Sequence, residues 1–425
     1  MLTMILLLLA PFTQLGTGYY TSVGALMLVI ALLQWRPVLA TGAKRGMLLL
    51  GGSVLIVLPI LAYGSRATTS DMLRCVREAV FYIVLISAII GFSHHRAAVP
   101  PRLGLLLALV GCICLLVTLQ TLSLGQGVYL GIPRWAYATG RDTIASDLAL
   151  KYGASDLRAA GTFSEPSYLG FFLLSLAMTV APLLSINQRA RLILGIIVIT
   201  GLLSRSLSFL LGAVLVLFVP VLLATGGEQP GKRLRGRKGA LVLPAVLAVA
   251  TLALTSAGRL LSRLGSAMSL DTADSSTSGR IFAPLAALPG FLAEHPFGVP
   301  FSILLREIYT FVPYSMRPTF NRFSVDNAFL NFFFFYGILA VPILLLIMVA
   351  AREWRLRFYL LVCMMFNGSF LTIDKLAIIM MTLCMYEGSK RYAAVYAARH
   401  PERVWRRNRR PIAPARSPSP ALKPQ

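Results

Sequence analysis

Apolar blocks recur along this chain, many of them long enough to cross a hydrocarbon layer about 30 Å thick as a helix, which takes about 20 residues. The blocks lie at 1–12, 18–35, 46–64, 77–93, 102–123, 166–185, 190–203, 206–225, 239–256, 325–350, 358–373 and 375–389. They predict an all-α polytopic membrane protein with about 12 transmembrane helices, the first and seventh blocks being short. Only 13% of the 425 residues are charged, where soluble domains carry about 25%. A soluble enzyme is excluded on that ground. The start, MLTMILLLLAPF, has no basic leader or small-residue cleavage site, and it reads as the first membrane helix. Residues 1–390 form one transmembrane domain in this reading, and 391–425 a basic, Pro-rich tail without a packed core.

The formal net charge of +24 fits a membrane protein, because cytoplasmic loops collect Lys and Arg. No nucleic-acid motif accompanies it. The segment GKRLRGRK at 231–238 has five basic residues, and the stretch from Lys390 to Lys423 has ten. Both are expected inside, the tail against anionic lipid head groups. Four predicted spans separate them, which agrees, and both termini then lie in the cytoplasm. The five cysteines, Cys75, Cys112, Cys114, Cys363 and Cys384, show no spacing for a disulfide framework or a zinc site.

Two long segments, about 124–165 and 257–324, fall on the outer face, opposite the cytoplasm. Loops of this length are commonly functional. The second contains IFAPLAALPGFLAE, which suggests amphipathic or re-entrant helices. The outer face is rich in arginine, where positive charge is normally scarce. A single arginine near a helix end is explained by snorkelling. The collection points to an anionic substrate, since guanidinium forks match phosphate oxygens and stay charged.

The stretch RAAGTFSEPSYLG (158–170) enters a helix. Pro166 suits a first helical turn, and Glu165 before it lies at the positive end of the helix dipole. Beside Arg158, that carboxylate is placed either as a general base or as a helix cap with a surface ion pair. Arg205 in LLSRSLSFLLG is a phosphate ligand or part of a tight turn. Arg280 ends STSGR, and His295-Pro296-Phe297-Gly298 reads as a turn. Asp326 and Asn327 precede a strongly apolar helix, as N-caps or as base and orienter. Asp374-Lys375 interrupts the apolar stretch 358–385. Two charges inside one span are costly, so a hairpin turn at the outer face is expected there.

Taken in order, these segments resemble the bacterial O-antigen ligase and polysaccharide polymerase superfamily. The resemblance rests on Arg158-Ala-Ala-Gly161-Thr-Phe163-Ser-Glu165-Pro166-Ser167, then Ser204-Arg205-Ser206 and Ser278-Gly279-Arg280. It continues through His295-Pro296-Phe297-Gly298 and Asp326-Asn327 with Gly337. Ligases have a His-Asn, His-Ser or His-Gln pair nine residues before a Gly at the late helix entry. Here Asp326-Asn327 keeps the spacing and lacks the histidine, which favours a polymerase. The resemblance implies a GT-C-like glycosyltransferase architecture in the bacterial inner membrane with its active face periplasmic. Oligosaccharide repeat units on undecaprenyl diphosphate would be joined into O-antigen or exopolysaccharide. In this reading Arg158, Arg205 and Arg280 bind the diphosphate, and Glu165, with Asp326 second, takes the acceptor proton. Gly161, Ser167, His295 and Asn327 support them. The diphosphate is a good leaving group, so no metal or other cofactor is called for. Expected partners are the lipid-linked oligosaccharide, membrane lipids, and a chain-length regulator or export complex.

Three other readings compete. A ligase would pass the glycan to lipid A core or to protein from the same donor. A lipid-linked glycan or solute transporter would place ionisable residues at the midplane between repeated halves, a pattern absent from this sequence. A structural subunit of an export complex would have no need of the Arg/Glu set.

Overall fold

The computed structural model describes residues 2–16, 21–44, 46–94, 98–138, 158–206, 209, 212–218, 282–317, 327–366 and 372–400. Among these residues the chain is all-α, with two isolated bridges (Leu15 with Tyr137 and Gly16 with Ser22) outside the helices. Five helical segments are long and apolar enough to cross a membrane: Leu48–Arg66, Thr69–His94, Leu103–Gly125, Pro166–Leu183 and Phe329–Ala350. A sixth is reached if a bent pair counts as one span.

That pair is α1 (Val23–Gln34) and α2 (Arg36–Ala43), which meet at 70°. The expected break after residue 35 is therefore a corner between helices. Pro37 lacks an N–H and its ring excludes a continuing helix, while Trp35 leaves helical geometry at φ −103°. The arm α2 lies along α3 (Thr69–His94). Small residues allow this: a Cβ on Gly42 would run into Ser87, and one on Gly91 into Val38. Close helix approach through small residues is the usual membrane solution.

Helix α3 starts with a reciprocal cap. Thr68 Oγ1 accepts from Asp71 N at 3.2 Å, and Asp71 Oδ2 accepts from Thr68 N at 2.9 Å, which satisfies two amides that a helix start leaves open.

The centre of the bundle is α5 (Pro166–Val180) against the first half of α12 (Ile373–Arg399). Of the span Pro166–Leu183, 78% is buried, against 28% for α4 (Leu103–Gly125), so α5 is enclosed by protein and α4 is peripheral. Leu50, Leu61, Leu115 and Leu122 stand exposed on the outer helices, as lipid-facing side chains do. At the far end of α12, Lys390 pairs with Glu353 and Glu387, and Arg391 donates to Phe92 O at 2.8 Å.

The second long segment contains two helices, α7 (Ala283–Glu294) and α8 (Phe301–Phe311). They form an apolar core of their own with α9 (Ala328–Tyr336): Ala287, Phe291, Leu304, Ile308 and Phe334. Helix α9 stops at Gly337, and α10 (Ala340–Ala350) continues its line. The expected turn at Asp374-Lys375 lies earlier in the chain. Helix α11 (Trp354–Met365) ends before it, Thr372 caps α12, and both charged residues belong to the first turn of α12.

Candidate functional site

The loop 158–165 is held by its main chain. Gln120, buried on α4, accepts from Ala160 N at 3.2 Å and Gly161 N at 2.8 Å, and donates to Gly161 O at 2.9 Å. Gly161 has φ +63°, a conformation other residues avoid. Gln14 Oε1 accepts from Ser164 N at 2.8 Å and Ser164 Oγ at 2.9 Å. Tyr137 OH donates to Phe163 O at 3.1 Å, and Thr162 Oγ1 donates to Pro11 O. These bonds satisfy buried backbone groups, each of which would otherwise cost about 1–3 kcal/mol.

The loop delivers Glu165 to the start of α5. Its backbone occupies the N-cap position in extended geometry, φ −141° and ψ 152°, yet its side chain makes no capping bond. The carboxylate instead accepts from Ser167 Oγ at 3.2 Å. A helix cap is therefore not what its carboxylate is used for. Pro166 takes the first helical position as expected.

Arg158 reaches across to the turn after α6 (Gln188–Leu203), where its Nη1 donates to Arg205 O at 3.4 Å. Arg205 has φ +50° and is the only non-glycine residue with positive φ among the described residues. A left-handed residue with a Cβ costs about 1–2 kcal/mol, and such strain concentrates at functional sites. The turn is fixed against α5: a Cβ on Gly170 would meet Ser206 Oγ at 2.7 Å.

Lys375 completes the group. It is fully buried. Its Nζ donates to Phe366 O at 3.1 Å and lies 6.0 Å from the Tyr168 ring centroid, one turn beyond Glu165. Its sequence neighbour Asp374 accepts from Ser22 Oγ through Oδ1 at 2.9 Å. A buried ammonium costs several kcal/mol in real proteins. Arg158, Glu165, Ser167, Arg205 and Lys375 thus gather at one end of the bundle.

His295 and Asn327 belong elsewhere. Asn327 Oδ1 accepts from Phe329 N at 3.1 Å and Leu330 N at 3.2 Å, so it is the N-cap of α9. The His295 ring packs on Phe291 and Phe311, and its Nε2 lies 3.8 Å from Glu307. Arg280 and Asp326 lie outside the described residues. Among the described residues, no three His, Cys, Asp or Glu side chains gather closely enough to hold a metal ion.

Gln14, Gln120, Tyr137 and Lys375 are additions from the structure. Gln120 carried a signal, an amide deep in an apolar span. Lys375 carried one too, as a charge with no flanking polar run. A cavity of about 720 Å³ lies between Pro100, Arg189 and Tyr392. It adjoins the starts of α4 and α6 and the late part of α12, about 25 Å along that helix from Lys375, and is a separate feature.

A family model described as WcaD colanic acid polymerase matches residues 1–387. The chain belongs to the WcaD colanic acid polymerase family. The match takes in every described residue of the site, and the basic tail lies beyond it. Membership makes the chain a glycosyltransferase-type polymerase in a membrane, acting broadly on exopolysaccharide repeat units. It bears out the resemblance to a polymerase-like member of the superfamily. No curated protein and no solved structure matches the chain.

Proposed function

We propose that the chain polymerises oligosaccharide repeat units carried on undecaprenyl diphosphate, at the periplasmic face of the bacterial inner membrane. The observation that supports it best is the hydrogen bond from Arg158 to the Arg205 carbonyl, made by the loop that also delivers Glu165 to α5, in a member of a polymerase family. In this reading the membrane topology is the one of about twelve spans with both termini cytoplasmic. The end of the bundle that carries Glu165 faces the periplasm.

The donor is a glycan on the lipid diphosphate, and the acceptor is a hydroxyl of a second lipid-linked unit. The hydroxyl oxygen forms a bond to the anomeric carbon. The bond from that carbon to the diphosphate oxygen breaks, and undecaprenyl diphosphate leaves with the electron pair. Glu165 takes the hydroxyl proton as general base. Arg158 and Arg205, with Arg280 from the long segment, meet the charge that develops on the diphosphate. Asp326 is the second choice for the base. Positioning two bound lipids supplies much of the remaining rate enhancement. A chain-length regulator or export complex is the expected protein partner, and the basic tail rests on anionic lipid.

The test is a gel profile of lipid-linked and surface glycans. Cells lacking the protein are complemented with wild type or Glu165→Gln at equal protein level. Single lipid-linked repeat units that persist with Glu165→Gln support the reading. Long lipid-linked chains left untransferred would mean a ligase, and an unchanged profile would remove Glu165 as the base.

A further inference from the structure

The cavity of about 720 Å³ lies at the far end of the bundle from the candidate site. Leu183, part of its wall, closes the span that Pro166 opens, about 25 Å of helix away. Three helices supply the rest of the lining used here. Leu103 and Gly104 begin α4, Arg189 and Leu192 stand in the first turns of α6, and Tyr392 belongs to the late part of α12. Small-ligand sites have volumes of about 300–1,000 Å³.

The cavity has a cationic corner and an apolar side. Arg189 is the one charged residue of its lining, is exposed, and has no carboxylate within salt-bridge distance among the described residues. Helices α4 and α6 both start here, and neither has an acidic residue in its first turn. Their positive dipole ends add to the arginine. Away from that corner, Leu192 is exposed, and a Cβ on Gly104, Gly111 or Gly195 would meet nothing within 4 Å. Gly111 is two turns beyond Gly104 on the same face of α4, about 10 Å further from the helix start. The glycines open a shallow bed that leads from the cavity along the α4 and α6 pair.

Charge decides which occupant fits. Residues 401–425 hold seven basic residues and one acidic one, the same sign as the corner, so the chain's own tail is a poor match. An anion joined to hydrocarbon matches both parts. A phosphodiester keeps its charge and suits a guanidinium, and basic pockets between membrane helices take anionic head groups.

We propose that this cavity binds one anionic phospholipid, with its phosphodiester at Arg189 and an acyl chain along Gly104, Gly111 and Leu192. Bound there, the lipid bridges α4, α6 and α12. Helix α4 carries Gln120 near its other end, and α6 leads into the Arg205 turn, so the lipid braces the frame behind the candidate site. On the topology proposed above, this end is the cytoplasmic one. The inference needs a membrane around the bundle and no particular catalytic base, so it stands or falls apart from the transfer reaction.

Native mass spectrometry of the full-length protein in micelles, titrated with dioleoyl phosphatidylglycerol, tests this. Dioleoyl phosphatidylcholine and glycerol phosphate are the comparison ligands. One phosphatidylglycerol per chain is expected to be retained most tightly and to raise the melting temperature. Gly104→Trp fills the cavity without touching a charge and is expected to abolish both effects. Arg189→Gln is expected to weaken retention by about fivefold, the worth of one basic residue near a bilayer surface. Equal retention of phosphatidylcholine overturns the inference by removing the role of charge. Glycerol phosphate raising the melting temperature as far as the lipid does overturns it in favour of a soluble anion. Retention by Gly104→Trp equal to wild type overturns it by placing the lipid elsewhere. If Gly104→Trp does not accumulate, Gly104→Leu takes its place, and unchanged retention by that variant overturns it in the same way.

Discussion

The carbonyl oxygen of Pro296 occupies the space that a Cβ on Gly337 would need, and it accepts a hydrogen bond from Ile338 N at 2.8 Å. The turn His295-Pro-Phe-Gly and the late Gly337, about 40 residues apart, are two halves of one joint. Val299 N donates to Phe334 O at 3.2 Å beside it. The joint fastens α7 and α8 to the break between α9 and α10.

Gly337→Ala should therefore loosen that joint. Gly337 has φ +59°, which costs a residue with a Cβ about 1–3 kcal/mol, before the overlap with Pro296 is relieved. The expected outcome is a lower melting temperature of the purified protein and reduced polymer. A melting curve and glycan profile equal to wild type would mean the joint yields freely.

The other fastening of α7 and α8 is polar. Asp71 accepts from Ser302 N at 3.0 Å and Ser302 Oγ at 2.7 Å, and Arg74 stacks on the Phe301 ring at 3.6 Å. Asp71→Ala removes a cap from α8 and half of the cap on α3, each worth about 0.5–2 kcal/mol. Trypsin should cut faster at the exposed Arg306, read by mass spectrometry of the fragments, while the bundle remains intact.

Arg205 offers a separation of stability from activity. Glycine relieves the left-handed strain of about 1–2 kcal/mol and brings an opposing entropy cost of about 0.5–1 kcal/mol. Arg205→Gly is expected to melt within about 1 kcal/mol of wild type by these terms while polymer is lost. Full polymer from this variant would remove its guanidinium from the site.

At Gln120 the prediction is graded. Gln120→Leu leaves Ala160 N, Gly161 N and Gly161 O without their partner, at about 1–3 kcal/mol for each group left unsatisfied. Gln120→Glu keeps the accepting oxygen and loses the donor. The thermal midpoints and polymer yields should fall in the order wild type, Gln120→Glu, Gln120→Leu.

Much of the bundle was legible in the sequence because membrane helices declare themselves by length and apolarity. The block 102–123 became Leu103–Gly125, and 166–185 became Pro166–Leu183. The corner at Trp35 was hidden, since Pro37 falls where a loop also reads well. Charge was misleading at Asp374-Lys375. Two charges in an apolar run suggested a surface turn, whereas a helix start buries Lys375 beside Phe366 and half-buries Asp374 beside Ser22. Around the candidate site, the motifs named Arg158, Glu165 and Arg205, and the structure brings Arg158 onto the Arg205 carbonyl. The glutamines that shape the loop were missed, because contacts across 40 or 150 residues leave no local pattern. Asn327 is a cap and His295 a packing residue, the local readings that their sequence positions offered.

The grip of Gln120 and Gln14 on main-chain atoms has a consequence for how such enzymes diverge. The loop's shape is encoded in two amides borne by other parts of the chain, and in the proposed function its own side chains at 158 and 165 serve the chemistry. On that proposal, lineages can swap those two residues to suit a new sugar without rebuilding the frame. A graft of residues 158–167 from one polymerase into another should work when both recipient glutamines are kept, and fail when either is absent.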